Sequence, residues 1–180
     1  MTIDIGTGDG RAVLVAAARE PVTLVLGLDA NAAAMAEASR RAARAPRKGG
    51  LPNARFILAS AESPPPVLAA AANLVTVRFP WGSLLRGVVG ADAAVAAGIA
   101  GMVAARGSLE LLLAPAARDG LDGVPASMDD LVAGVAGAFH AHGFDVEEVR
   151  TPTPAEVKAS GSTWARRLGR RTTVIRLVRR

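Results

Sequence analysis

Cysteine and tyrosine are absent from this 180-residue chain, and histidine and tryptophan occur only twice each. Without cysteine there is no disulfide framework, no thiolate metal site and no cysteine nucleophile, and a reducing compartment is the natural reading. The two histidines, His140 and His142, are too few for a multi-histidine metal centre, so no metal site is expected. Long apolar runs are missing too. The longest uncharged stretch of helical character, Ala93 to Ala105, falls well short of the ~20 residues that span a bilayer. The opening Met1-Thr2-Ile3-Asp4 has neither the positive end nor the apolar run of a signal peptide, so a cytoplasmic protein is expected.

The residues present suit a packed domain. A hydrophobic share of 51% against 21% charged is far from the composition of disordered chains, and the length fits one domain over residues 1–180. The net charge of +5 is unevenly placed. Residues 161–180 hold seven arginines and no acid, which leaves the first 160 residues at 14 minus 16, or -2. Arginine concentrated on an otherwise neutral domain suits a polyphosphate partner, because each neutralised phosphate releases counterions. A solvated basic tail has the same composition.

Short aliphatic runs alternate with longer alanine-rich stretches at helical period, the pattern of an α/β domain with a parallel sheet. Seven strands are predicted, at Thr2–Ile5, Val22–Leu28, Ala54–Ala59, Asn73–Phe79, Ser108–Ala114, Phe144–Arg150 and Thr172–Val178. Helices are predicted at Asp9–Arg19, Asn31–Ala45, Pro65–Ala71, Ala91–Ala105 and Ser127–His142, with Asn31 and Ser127 as N-caps and Gly49 and Gly143 as stops. Too little sequence separates the last two strands for a long crossover helix, so the final strand should run antiparallel. The Arg118–Pro125 stretch reads as a loop.

The first strand ends in Asp4-Ile5-Gly6-Thr7-Gly8-Asp9-Gly10 and leads directly into a helix, a turn that lets a ligand approach the backbone. The second strand ends in Asp29, nineteen residues after Gly10, where a carboxylate can accept from both hydroxyls of a ribose. A purely structural βα turn would look similar. Arg11 occupies the position at which a nicotinamide dinucleotide fold needs a small residue, which disfavours that cofactor. A carboxylate two residues before the first glycine, here Asp4, instead resembles S-adenosylmethionine-dependent class I methyltransferases, in which this segment takes the amino acid end of the cofactor. Ala61 and Glu62 follow the third strand where such enzymes meet adenine, although Glu62 alone could be a solvated loop acid.

Arg78-Phe79-Pro80-Trp81-Gly82-Ser83-Leu84-Leu85 follows the fourth strand, which places Trp81 beyond the carboxyl edge of the sheet, where ligands bind. Trp164, in Gly161-Ser162-Thr163-Trp164, lies in the connection that topology lays over the same edge. Each tryptophan by itself reads as a packing residue. Together, two indoles on separate loops could stack on a flat base, at ~1–3 kcal/mol per base.

The segments at 4–11, 45–51, 79–85 and 162–164 together resemble the Kam family of aminoglycoside-resistance methyltransferases, with Phe-Pro-Trp-Gly-Ser-Leu-Leu the most specific part. The resemblance implies a single class I methyltransferase domain that uses S-adenosylmethionine to methylate N1 of adenine 1408 in 16S rRNA of the 30S subunit. By position, it implies that Asp4, Gly6, Thr7, Gly8, Asp9 and Gly10 hold the methionine end, that Asp29 takes the ribose, and that Ala61 and Glu62 meet the adenine. Trp81 and Trp164 would clamp a flipped base, with Ser162, Phe79 and Pro80 beside them. Phe79 stands where exocyclic-amine methyltransferases place Asn or Asp, in keeping with a ring-nitrogen target. Arg40, Arg41, Arg44, Arg47 and Lys48 correspond to a family surface that docks on ribosomal RNA, and Arg166, Arg167, Arg170 and Arg171 extend the basic set. Without the resemblance, the first group reads as a solvated helix face.

One departure stands out. Family members carry a β-hairpin and the start of the first strand ahead of the glycine turn, whereas Asp4 is only three residues from Met1. Either the start lies upstream or the cofactor pocket is less covered. A monomer is expected. The competing readings are a methyltransferase acting on another RNA, such as the transfer RNA guanine N7 type, and a non-catalytic RNA-binding domain.

Overall fold

The computed structural model describes residues 1–114, 123–125, 127–160 and 172–180. Seven strands form one sheet in the order β3-β2-β1-β4-β5-β7-β6. They are β1 (Thr2–Ile5), β2 (Val25–Asp29), β3 (Ala54–Leu58), β4 (Ala72–Arg78), β5 (Val103–Leu113), β6 (Phe144–Arg150) and β7 (Thr173–Arg179). β1 to β5 pair in parallel, and β7 is antiparallel to both β5 and β6, as the short last connection requires. The strand order reverses between β1 and β4. Crossovers leave that point in opposite directions and open a crevice beyond the strand ends.

Alternation along each strand supplies both faces of the sheet with apolar side chains. On one face Ile3, Ile5, Val75, Val77 and Leu111 pack with Leu85 and Val88 of α3 (Gly82–Val88), Ile99 of α4 (Ala93–Met102) and Phe139 of α5 (Met128–His140). On the other, Val13, Leu14 and Ala17 of α1 (Arg11–Arg19) and Ala38 and Ala42 of α2 (Ala32–Ala42) cover Val25 and Ala54. The N-caps Asn31 and Ser127 accept from the backbone N–H groups of Ala34 and Asp130. Gly143 follows α5 at φ 82°.

Several predicted elements differ. Pro65–Ala71 is not an α-helix: only Pro66–Leu68 forms a 3-10 turn, because three consecutive prolines remove N–H donors and fix φ. The helix expected over Ala91–Ala105 ends at Met102, and β5 begins at Val103, where pairing with Ala72 outweighs the helical propensity of the alanines. β2 starts at Val25 rather than Val22, and Val22 is almost fully exposed. Two helices went unpredicted: α3, and α6 (Pro154–Ala159), which carries a Thr153–Glu156 capping box. Most of the loop expected over Arg118–Pro125 lies outside the described residues.

Candidate active site

A cleft of about 510 Å³ opens over the carboxyl ends of β1, β2, β3 and β4, a volume suited to a small-molecule ligand. Its floor is the glycine turn. Gly6, Gly8 and Gly10 all adopt positive φ (67°, 56° and 71°), which bends the chain from β1 into α1 within a few residues. Gly6, Thr7, Gly8 and Asp9 line the cleft, whereas Gly10 does not. A Cβ on Gly10 would lie 2.5 Å from Phe56 Cε1 and 2.7 Å from Ala38 Cβ, so its role is to let α1 pack on the sheet.

Two carboxylates are fixed at the strand ends. Asp29 accepts from the Gly8 N–H through Oδ2 and from the Asn31 N–H through Oδ1, each at 2.8 Å. Each oxygen has a second lone pair for a diol. Asp4 is 3% exposed, and its Oδ1 accepts from Thr76 Oγ1 at 2.7 Å and from Arg78 Nη1 at 2.5 Å. A buried carboxylate needs such partners, since desolvating an unpaired charge is costly. Asp9 pairs at the rim with Arg11 at 3.1 Å.

The side beyond β3 is formed by Ala59, Ser60, Ala61 and Glu62, with Ala61 buried and Glu62 exposed. Across the cleft the chain leaves β4 through Arg78, Phe79, Pro80 and Trp81, all of which line it. Phe79 takes φ 50°, unusual for a bulky side chain, and Trp81 is 53% exposed at the N-cap of α3. Trp164, Ser162, Arg166, Arg167, Arg170 and Arg171 lie outside the described residues. Arg40, Arg41, Arg44, Arg47 and Lys48 are all exposed on the end of α2 and the 3-10 turn Pro46–Lys48. His140 and His142 do not line the cleft, and the structure gives them no place in its chemistry.

Sequence reasoning missed Arg78, Ser83, Leu84 and Ser160 as lining residues. For Arg78 the signal was present: it stands two residues after Thr76, the partner of Asp4 in the β1–β4 register, and so shares its face.

A nucleoside with an amino acid tail fits this donor set. Thr7 Oγ1 is the one buried side-chain polar atom without a hydrogen-bond partner among the described residues, and it sits in the glycine turn on the cleft wall. No added Cβ at Gly8 would meet an atom within 4 Å, so the backbone there stands open to a ligand.

Residues 1–179 match the model of the NpmA family, described as 16S rRNA (adenine(1408)-N(1))-methyltransferase. A protein of that description from Streptoalloteichus hindustanus is 32% identical over 176 residues, spanning 93% of this chain and 80% of the relative. Among solved structures, KamB, a 16S rRNA methyltransferase, superposes with a TM-score of 0.87 at 32% identity, covering 98% of this chain and 86% of its own. A mutant 16S rRNA (adenine(1408)-N(1))-methyltransferase from Catenulisporales acidiphilia, crystallised with cosubstrate SAM, gives 0.85 at 32% identity, covering 99% and 84%.

Proposed function

The chain belongs to the NpmA family of 16S rRNA (adenine(1408)-N(1))-methyltransferases, and from that membership we propose how its cleft methylates adenine 1408 and so confers aminoglycoside resistance. It is an S-adenosylmethionine-dependent rRNA methyltransferase, and the position of the cleft at the switch point of a Rossmann-like sheet supports reading it as the cofactor site. Asp29 holds the ribose hydroxyls through oxygens already oriented by backbone N–H groups. Thr7 and the backbone of Gly6 and Gly8 hold the methionine end, with Asp4 toward its ammonium, and Ala61 and Glu62 border the adenine. When bound, S-adenosylmethionine supplies a methyl group on a positively charged sulfur.

Adenine N1 carries an in-plane lone pair and no proton, so no residue has to act as a general base. Placement is the main task, and orientation alone can supply ~7–11 kcal/mol of a barrier. The N1 edge is engaged or stacked within an RNA helix, so the base must be turned out and held. Trp81 offers a half-exposed indole at the lip of the cleft, flanked by Phe79 and Pro80, and that placement is the observation that carries this reading. On the family resemblance, Trp164 is the second residue that holds the base, and Ser162 assists it. Arg40, Arg41, Arg44, Arg47 and Lys48 dock on the rRNA of the 30S subunit, and Arg166, Arg167, Arg170 and Arg171 bind near the target. The enzyme acts as a monomer without a metal, in the cytoplasm where its substrate resides.

The test is methylation of 30S subunits by Trp81→Ala and Trp164→Ala. Each is expected to abolish transfer while leaving the cofactor dissociation constant within about twofold, since stacking on the target base is the interaction removed. Wild-type rates from either variant would refute the clamp. Mapping the methylated nucleotide by primer extension separates adenine 1408 from any other RNA target.

A further inference from the structure

Four carboxylates line the cleft, those of Asp4, Asp9, Asp29 and Glu62, and Arg78 is the only cation among the described lining residues. An amino acid tail brings a carboxylate of its own into this acidic surrounding. That group needs a counter-charge, or it meets only repulsion and desolvation. Arg78 is placed to supply it. Its side chain is 24% exposed, held at the mouth of the crevice by a 2.5 Å bond from Nη1 to Asp4 Oδ1, its only hydrogen bond to another described residue. A guanidinium has five donors in a planar fork, so a carboxylate can be taken while the contact to Asp4 is kept.

We propose that Arg78 binds the α-carboxylate of S-adenosylmethionine. Asp4 and Arg78 then form a paired reader for a zwitterion, with the acid turned to the ammonium and the guanidinium to the carboxylate. The carboxylate is thereby fixed to the last residue of β4, directly before the segment that carries Trp81. The proposal rests on the cofactor reading of the cleft and adds a residue that discriminates among nucleosides of the same class.

Calorimetry on the full chain tests it with two probes, S-adenosylmethionine and decarboxylated S-adenosylmethionine, which keeps the sulfonium and the amine but lacks the carboxylate. Wild type should prefer the intact cofactor by about 10-fold to 100-fold, the range of a charge-assisted hydrogen-bonded pair. Arg78→Met should bring that preference to one or below, and Arg78→Lys should keep part of it. Any effect on the amine and sulfonium that the two probes share, including loss of the counter-ion of Asp4, shifts both affinities alike and cancels in the ratio. A preference that survives in Arg78→Met, or is absent from wild type, overturns the proposal. If Arg78→Met fails to fold, Arg78→Gln is read in the same way. Binding of neither probe to the wild-type chain would refute the cofactor reading itself, an outcome distinct from an unchanged ratio.

Discussion

The two walls of the cleft are built differently. On the β1–β2 wall the functional groups are locked before any ligand arrives: Asp4 is 3% exposed and held by Thr76 and Arg78, and Asp29 is gripped by two backbone N–H groups. On the wall after β4, Trp81 is 53% exposed, and α3, only seven residues long, starts there without a side-chain cap. The first wall is preorganised and gains affinity by avoiding rearrangement. The second presents an indole to solvent, and the base proposed to bind there would bury it. A nucleoside cofactor is small and always the same, so a rigid pocket suits it. A base delivered from a large RNA needs an open door.

This contrast can be broken from either side. The largest effect is expected from Asp29→Ala, which should raise the cofactor dissociation constant about 100-fold or more by calorimetry, because it removes the charge-assisted bonds proposed to two ribose hydroxyls and frees the Gly8 and Asn31 N–H groups. Trp81→Ala should leave that constant nearly unchanged. Equal losses in the two variants would show that the walls are not separable.

Neutralising Arg40, Arg41 and Lys48 together should weaken 30S binding and lower the slope of log affinity against log salt by about 2, measured by filter binding from low to moderate salt. An unchanged slope would move the docking surface elsewhere. Gly98→Ala should act on the cleft from outside it, through the loop after β3. A Cβ there would fall 1.9 Å from the Ala61 carbonyl oxygen, so the loop 59–62 that lines the cleft must shift, and about a tenfold loss of cofactor affinity is expected with a lower Tm.

The smallest effect concerns the connection after β6. Arg150 donates through Nη1 and Nη2 to Glu156, and with the Thr153 N–H it holds that carboxyl at about 2, well below its ordinary 4.5. A carboxyl whose pKa is lowered by folding stabilises the fold above pH 4.5, and that contribution disappears as the pH falls toward 2. Denaturation of wild type and Glu156→Gln should therefore differ above pH 5 and converge near pH 2. The pair is partly exposed, so the difference is held to about 1 kcal/mol.

Much of this layout is legible in the sequence. The seven strands, the antiparallel β7, the N-caps Asn31 and Ser127 and the glycine turn with Asp4 and Asp29 follow from periodicity and local chemistry, which act over a few residues. What escapes depends on contacts distant in the chain. Val103 joins β5 because Ala72 lies beside it, and Gly10 faces Phe56 rather than the ligand because α1 must approach the sheet. Helix α6 escapes for a different reason: Thr153-Pro154-Ala155-Glu156 is a complete start signal, overlooked because the helix is so short. Helix α3 hides behind Pro80 and Gly82, residues that usually announce a loop.

The left-handed backbone of Phe79 has an evolutionary corollary. Holding a bulky residue at φ 50° costs on the order of 1–3 kcal/mol, which Gly or Asn would largely recover. A library randomised at this codon and selected for heat tolerance alone should therefore drift toward Gly or Asn, while one selected on drug plates should keep the aromatic ring. The divergence between those two populations would measure how far resistance and robustness pull against each other at one residue.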